Sequence, residues 1–299
     1  MTHPPAGTRI AFLADRGVVR VAGEDASKLL QGVITNDMGL LATRPALHAA
    51  LLTPQGKILF DFFVVTAPGG FLLETAADKT AELARRLAMY RLRAKAEITD
   101  ASGEYRVFVA WGGDSPDLEA GDASVSFPDP RLPQLGIRIL GDSRFTPAGS
   151  AGTEAAAADY HAHRIALGVP EGGKDYAFAD AFPHEADMDQ LGGVSFTKGC
   201  FVGQEVVSRM QNRAAVRKRV VPLMADAPLT PGAEVHAGAA AIGKVGSTSG
   251  RHALALVRLD RAAEAVAKGE PLTAGGVPVK LGKPSWARFE LAPAAVTTP

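Results

Sequence analysis

The sequence has a single cysteine, Cys200, among its 299 residues. One cysteine excludes an intramolecular disulfide, and it excludes a zinc or iron–sulfur site built from four cysteines of this chain. It also indicates a reducing compartment, and because no signal-like segment follows Met1 we expect a cytoplasmic protein. No apolar run is long enough to cross a bilayer, so we expect no membrane partner.

An excess of charge of one sign is also lacking. The 32 Lys and Arg residues balance the 32 Asp and Glu residues, so no global field attracts nucleic acid. The histidines do not have the spacing of a metal site, and we expect no permanently bound metal. Because Walker, Gly-x-Ser-x-Gly and Gly-x-Gly-x-x-Gly motifs are absent, the NTPase, hydrolase and nicotinamide-enzyme classes have no support.

The patterns that are present predict an α+β region followed by a small β-barrel. Residues 8–21, which break at Gly17, predict a strand pair or a hairpin, and residues 51–65 predict a hairpin around a Pro-Gly turn. Helices are predicted over residues 78–91, 154–167 and 260–268. After residue 217, short strands separated by Gly and Pro predict the barrel. These strands are predicted over residues 218–224, 240–245, 253–257 and 278–281.

The segment around Cys200 carries the most chemistry. Val202, Val206 and Met210 recur every four residues, which predicts a helix with this stripe buried and Cys200 at its N-terminus. The free backbone N–H groups there, together with Lys198, would favour the nucleophilic thiolate. The alternative is a small, inert, buried cysteine.

Four segments of the sequence together resemble one known family. They are Leu30–Asp37, Leu51–Lys57, Tyr90–Arg93 and, most specifically, Lys198–Glu205. These segments resemble the YgfZ family of folate-binding proteins, which are relatives of the glycine-cleavage T-protein, an aminomethyltransferase. The resemblance extends from about residue 8 to residue 290.

The resemblance implies a fold and a division into domains. The expected fold is α+β, with two ferredoxin-like α/β units and a C-terminal small β-barrel in a T-protein-like ring around a central folate channel. The first unit would be discontinuous and carry the cysteine motif, and the second would be inserted into it. The expected boundaries are 8–45 plus 105–212, 46–104, 213–291 for the barrel and 292–299 for a disordered tail.

The resemblance also implies a function. The protein would bind tetrahydrofolate or a derivative and act as an accessory factor in the assembly, maintenance or repair of iron–sulfur enzymes, especially [4Fe-4S] enzymes. Its partners would be iron–sulfur proteins or the cluster-assembly machinery. Cys200 and Lys198 would be the catalytic residues, with Cys200 as a transient ligand or nucleophile and Lys198 as the charge that tunes its thiol. The rest of the motif would position them: Gly199, Phe201, Gly203, Gln204 and Glu205.

Six residues are expected to bind folate, namely Glu185, Asn36, Asp37, Asp61, Arg91 and Arg209. Glu185 occupies the place of a folate-contacting glutamate in T-proteins, whereas the alternative is a solvated acidic loop. Asn36 and Asp37 could instead form an Asx-turn, and Asp61 could be an outward strand residue. Two clusters of basic residues could bind the glutamate tail of folate, or they could be ordinary solvated surfaces. The first cluster is Arg85, Arg86, Arg91, Arg93 and Lys95. The second cluster is Arg209, Arg213, Arg217, Lys218 and Arg219.

Two other functions remain open. One is a folate-dependent one-carbon transferase of the aminomethyl type, acting on a small amine or a tRNA base. T-proteins carry two adjacent acidic residues where this chain has Phe60 and Asp61, which disfavours that chemistry. A tRNA-modification role is weaker because the basic clusters contain few aromatic residues. The other is a folate-binding regulator without chemistry, in which Cys200 is dispensable.

Overall fold

A computed structural model describes residues 7–113, 124–146, 152–212 and 216–291. The chain divides into two compact units. Unit 1 contains residues 1–160 and 191–204, and unit 2 contains residues 161–190 and 205–299. The expected tail over residues 292–299 lies outside the described residues, as does Arg213.

Unit 1 contains two five-stranded sheets. The first has the order β10-β1-β7-β9-β8, in which only the β1–β10 pair is parallel. Its strands are β1 (Arg9–Phe12), β7 (Tyr105–Trp111), β8 (Ser124–Pro128), β9 (Ile137–Asp142) and β10 (Thr153–Glu154). The second sheet has the order β3-β4-β5-β2-β6. Its strands are β2 (Arg16–Ala22), β3 (Ala46–Leu52), β4 (Ile58–Ala67), β5 (Gly70–Ala76) and β6 (Glu97–Asp100).

The hairpin predicted over residues 51–65 is confirmed, because β3 and β4 pair antiparallel across the turn. The two strands predicted over residues 8–21 are present as β1 and β2, but they do not form a hairpin with each other. Strand β1 pairs with β7, whereas β2 pairs with β5 and β6. Gly17 lies inside β2 rather than in a turn. A Cβ at Gly17 would lie 2.7 Å from the Ser102 hydroxyl, so this glycine serves close packing. The residues 16–22 therefore share a sheet with β3–β6, across the expected boundary at residue 46.

Helices α1 (Ala26–Val33) and α2 (Thr80–Arg91) pack on the second sheet through one apolar cluster. Leu29 and Leu30 of α1 and Leu83 and Leu87 of α2 are buried in it. Each such leucine contributes roughly 1.5–3 kcal/mol of burial free energy. The cluster holds the end of α1 in a fixed position, and this end forms part of the candidate site.

Unit 2 contains a closed six-stranded barrel with the order β11-β14-β13-β12-β15-β16. Its strands are β11 (Lys218–Ala225), β12 (Glu234–Ala237), β13 (Ala240–Ser249), β14 (His252–Arg258), β15 (Leu272–Ala274) and β16 (Val277–Leu281). The predicted barrel is confirmed, although the short strands β12 and β15 were not predicted. The remaining helices are α3 (Ala157–Ala166), α4 (Gln204–Gln211) and α5 (Leu259–Ala267). Among the described residues, no helix has the length and apolar character needed to cross a membrane.

Candidate functional site

The thiol of Cys200 is exposed between two buried side chains. Lys198 and Phe201 are each only 8% exposed, and the Lys198 ammonium lies 5.3 Å from the centre of the Phe201 ring. This distance is within the range of a cation–π contact. The two flanking residues therefore anchor the loop while the thiol faces solvent. The alternative in which Cys200 is buried is therefore wrong.

Lys198 holds the end of helix α1. Its Nζ atom donates to the backbone carbonyls of Gln31, Ile34 and Asn36 at 2.7, 2.8 and 2.8 Å. An ammonium has three N–H donors, and these three acceptors use all of them. A cation is also favoured at a helix C-terminus, where backbone carbonyls lack partners within the helix. Burial lowers the pKa of Lys198 to about 8, against the upward effect of Asp37.

The loop before Cys200 is joined to the segment after α1 by buried hydrogen bonds. The Thr35 hydroxyl donates to the carbonyl of Gly193 at 2.7 Å. The Asn36 amide nitrogen donates to the carbonyls of His48 and Gly192 at 2.7 and 2.8 Å. These bonds position the cysteine loop against β3. Asn36 was expected to bind folate, but both of its amide hydrogens already have protein acceptors.

The two glycines of the motif have different surroundings. Gly203 has a φ of +79°, and a Cβ there would lie 2.5 Å from the Thr53 carbonyl oxygen and 3.1 Å from the Gly56 Cα. Its close approach to the turn between β3 and β4 therefore requires glycine. Gly199 has open space where a Cβ would be, so no neighbour requires glycine at that position.

The predicted helix is present, but its position and buried face differ from the prediction. Helix α4 begins at Gln204, so Cys200 precedes its first residue by four positions. Val207 is the buried residue of α4, whereas the predicted stripe residues Val206 and Met210 are only partly buried. The Lys198 ammonium bonds to carbonyls rather than to the thiol. The helix N-terminus and the Lys198 ammonium were expected to favour the thiolate, but neither is directed at Cys200.

Asp37 has a local structural contact. Its Oδ1 atom accepts from the backbone N–H of Gly39 at 2.9 Å and from the Gln31 side-chain amide at 3.1 Å. The first bond caps the short 3-10 helix that begins at Met38. This geometry is that of the Asx-turn alternative. It leaves the second carboxylate oxygen of Asp37 as the atom that could meet a ligand.

Asp61 belongs to a buried polar region that the sequence did not reveal. It is 6% exposed on β4, so the outward-residue alternative is wrong. Near it, Arg131 binds Asp129 through two N–H···O bonds of 3.0 and 2.8 Å. Burial raises the pKa of Asp129, but Arg131 and Arg138 outweigh this and lower it to about 2. Phe60, the other residue of the expected acid pair, lies in the apolar cluster on the opposite face of β4.

The same region contains His48, whose side chain is 5% exposed. Burial and the positive charge of Arg131 lower the pKa of His48 to about 4, although Asp61 and Asp129 act in the opposite direction. The imidazole is therefore neutral at physiological pH. Two signals in the sequence could have revealed this region. Glu74 follows two leucines in β5, and Arg138 lies between two isoleucines in β9.

In unit 2, Glu185 is partly buried in the loop over residues 182–190. Its Oε2 atom accepts from the backbone N–H of Phe182 at 2.9 Å, and Oε1 has no hydrogen-bond partner among the described residues. The neighbouring residues Asp187 and Asp189 bind Arg219 at 2.9 and 2.8 Å. Arg219 is buried by this contact, so it is not part of a solvated basic cluster.

The remaining predicted ligands are exposed on helices. Arg209 lies on α4 and pairs with Glu205 at 2.8 Å, and both side chains are largely in solvent. Arg91 is the last residue of α2 and is exposed. Gln204 begins α4, and its backbone N–H donates to the Phe201 carbonyl. Within the described ranges, no group of three or more His, Cys, Asp or Glu side chains has the geometry of a metal site.

This fold is that of the aminomethyltransferase class. The crystal structure of glycine cleavage system aminomethyltransferase T from Bartonella henselae matches with a TM-score of 0.74. The match covers 95% of this chain and 87% of that one at 16% sequence identity, which supports a shared fold. Residues 217–289 match the family described as CAF17, C-terminal beta-barrel domain.

The sequence relatives identify the family. Human iron-sulfur cluster assembly factor IBA57, mitochondrial, is 34% identical over 85% of this chain and 79% of its own length. The mouse protein of the same name is 33% identical over 82% of this chain and 76% of its own length. The homologue from Mycosarcoma maydis is 35% identical over 76% of this chain. That match spans only 60% of the fungal protein. The chain belongs to the IBA57 family.

These relatives bear on two expectations, the cytoplasmic location and the resemblance to the YgfZ family. The predicted cytoplasmic location is wrong, because the relatives are named as mitochondrial proteins. A single free cysteine indicates a reducing compartment but does not distinguish one such compartment from another. The resemblance to relatives of the T-protein is confirmed at the level of the fold, whereas the relatives bear the IBA57 name rather than YgfZ.

Proposed function

We propose that this protein is an accessory factor in iron–sulfur cluster assembly that presents Cys200 to a partner. The observation that carries the proposal is the exposed thiol between the buried anchors Lys198 and Phe201. The name of the human relative supports it, since that protein is an iron-sulfur cluster assembly factor. The cluster is cargo shared with the partner rather than a resident cofactor.

The chemistry assigned to Cys200 is that of one cluster ligand. The thiol loses its proton to solvent, and the thiolate sulfur then coordinates one iron. Fe–S clusters are usually held by four cysteine thiolates, so an iron–sulfur protein or the assembly machinery must supply the other ligands. A single ligand from this chain suits a transient contact, because the partner supplies most of the ligands to the cluster.

The first prediction concerns the thiol. In cells deleted for this gene, wild type should restore the activity of several [4Fe-4S] enzymes, whereas Cys200→Ser should not. The neighbouring variant Thr197→Ala is a matched control, because Thr197 is also exposed in this loop. Equal rescue by Cys200→Ser and wild type would eliminate the ligand role. Unchanged enzyme activities in the deleted cells would eliminate the assembly role itself.

We further propose that the protein binds tetrahydrofolate or a derivative through Glu185. A carboxylate can accept two N–H bonds from a pterin ring, and Oε1 of Glu185 has no partner among the described residues. Arg209, which lies in the same unit as Glu185, is a candidate for the glutamate tail. The match to the aminomethyltransferase concerns the fold alone, and Phe60 in the place of one acidic residue disfavours the transferase reaction.

The second prediction concerns this binding. In calorimetric titrations with tetrahydrofolate, Glu185→Gln should bind about tenfold or more weakly than wild type, because one charge-assisted bond is lost. Glutamine keeps an oxygen that can accept from the Phe182 N–H, so the loop should stay folded. The control Glu270→Gln changes an exposed carboxylate between α5 and β15 and should bind as wild type does. Equal affinities for wild type and Glu185→Gln would contradict the assignment of Glu185.

A further inference from the structure

The solvent-facing side of α2 ends in two exposed apolar residues. Leu83 and Leu87 are buried, whereas Met89 on the other side is 67% exposed. Leu92, which follows the helix, is 87% exposed. These two are the most exposed large apolar side chains in the part of the chain that the structure describes. Met89 and Leu92, together with Arg85, Arg86, Arg91 and Arg93, form a surface that we name the α2 tip.

Four arginines lie on or just after α2 near these apolar residues, namely the exposed Arg85, Arg91 and Arg93 and the partly buried Arg86. No hydrogen bond or ion pair joins any of these guanidinium groups to another described residue. The nearest acidic position on the helix, Glu82, pairs with Lys79 at 3.4 Å. Arg85 and Met89 are four residues apart on the helix and so lie on one face. The α2 tip therefore carries positive charge that nothing in the described chain neutralises.

The backbone at the α2 tip is strained where the apolar side chain is most exposed. Leu92 has φ +46° and ψ −108°, a conformation that glycine adopts freely and leucine does not. Burial of the leucine does not offset this strain, because the side chain is in solvent. Strain of this kind is often found at functional positions.

We propose that the α2 tip docks an acidic segment of a partner protein. The partner's carboxylates would meet the arginine forks, and an apolar side chain would cover Met89 and Leu92. Arginine suits this role because its planar fork binds a carboxylate through two N–H···O bonds. A membrane surface fits less well, since only two apolar side chains are available to insert and binding grows with apolar area. The proposal does not use Cys200 and does not depend on the cluster role.

The third prediction is tested by methyl NMR on the whole chain. A short peptide that repeats Glu-Leu-Asp should shift the methyl signals of Met89 and Leu92. Affinity should fall about tenfold or more for Arg91→Ser with Arg93→Ser, and it should fall with added salt because the charges are screened. Leu92→Gly should also weaken binding, although the chain should stay folded because glycine tolerates this backbone. A peptide that repeats Gln-Leu-Asn should not bind.

A matched control and two competing ligands make the test decisive. Lys268→Ser with Lys280→Ser removes two exposed cations from unit 2 and should leave peptide affinity unchanged. Failure of the acidic peptide to shift the Met89 and Leu92 signals would overturn the proposal. A response of these signals only to phosphatidylserine-containing vesicles would show a membrane surface instead. A response only to pteroyltriglutamate would show that Arg91 serves the folate tail.

Discussion

At the scale of single residues, the cysteine motif combines buried anchors with an exposed reactive group. Removing an ammonium from water costs several kcal/mol unless hydrogen bonds replace its hydration. Lys198 finds three carbonyls at the end of α1, so the contact compensates the buried charge and also caps the helix. We infer that Lys198 positions Cys200. This role differs from the expected one, in which the charge of Lys198, two residues before the cysteine, favours the thiolate.

The fourth prediction compares the two glycines that flank Cys200. Gly203→Ala should lower the free energy of unfolding by about 3 kcal/mol, because it combines a positive φ with a Cβ against the Thr53 carbonyl. Gly199→Ala should stay within about 0.5 kcal/mol of wild type, since its Cβ would occupy open space. Urea unfolding of both variants measures the difference. Equal losses of unfolding free energy in the two variants would show that the close approach to the β3–β4 turn does not require glycine at position 203.

At the scale of elements, the sequence predicted those whose partners are close in the chain. The β3–β4 hairpin, helix α2 and helix α5 were predicted because turn residues and apolar periodicity mark them locally. The pairing of β1 was mispredicted because its partner β7 lies almost a hundred residues further along. The strands β12 and β15 were missed because they have only four and three residues, too few for a clear alternation.

The same limit applies to the candidate site. The single cysteine and its motif could be found from the sequence, but the partners of Lys198 are 162 to 167 residues away. The buried pair of Arg138 and Glu74, joined at 2.6 Å, also connects distant strands. No local pattern records which charged strand residues will meet. These contacts depend on how the two sheets of unit 1 are built.

At the scale of the whole molecule, a net charge of zero conceals an uneven distribution of charge. Many acidic and basic groups are buried as pairs inside each unit. In unit 2, for example, Arg164 binds Asp175 at 2.6 Å with both side chains fully buried. The α2 tip, in contrast, has three exposed arginines and the partly buried Arg86, and none of the four has a partner among the described residues. Buried titratable groups of this kind make the stability of the fold depend on pH.

The fifth prediction uses this dependence. The pKa of His48 is about 4 in the folded chain, against an ordinary value of 6.5. Between these values the unfolded chain binds the proton more readily, so the free energy of unfolding falls as pH falls. His48 alone should account for a loss of about 2 kcal/mol between pH 7 and pH 5. Asp129 does not interfere, because its lowered pKa affects stability only below about pH 4.

The measurement is urea unfolding at pH 7 and pH 5, with Trp111 as the fluorescent reporter of unit 1 in a Trp286→Phe background. In His48→Phe, most of the difference in free energy of unfolding between pH 7 and pH 5 should disappear, whatever the absolute stability of this variant. His184, whose pKa burial also lowers, contributes equally to both proteins and cancels in the comparison. If wild type and His48→Phe lose the same free energy of unfolding between pH 7 and pH 5, then His48 is not a buried, neutral imidazole. In that case the polar region around Asp61 and Arg131 must be hydrated enough to accept a proton.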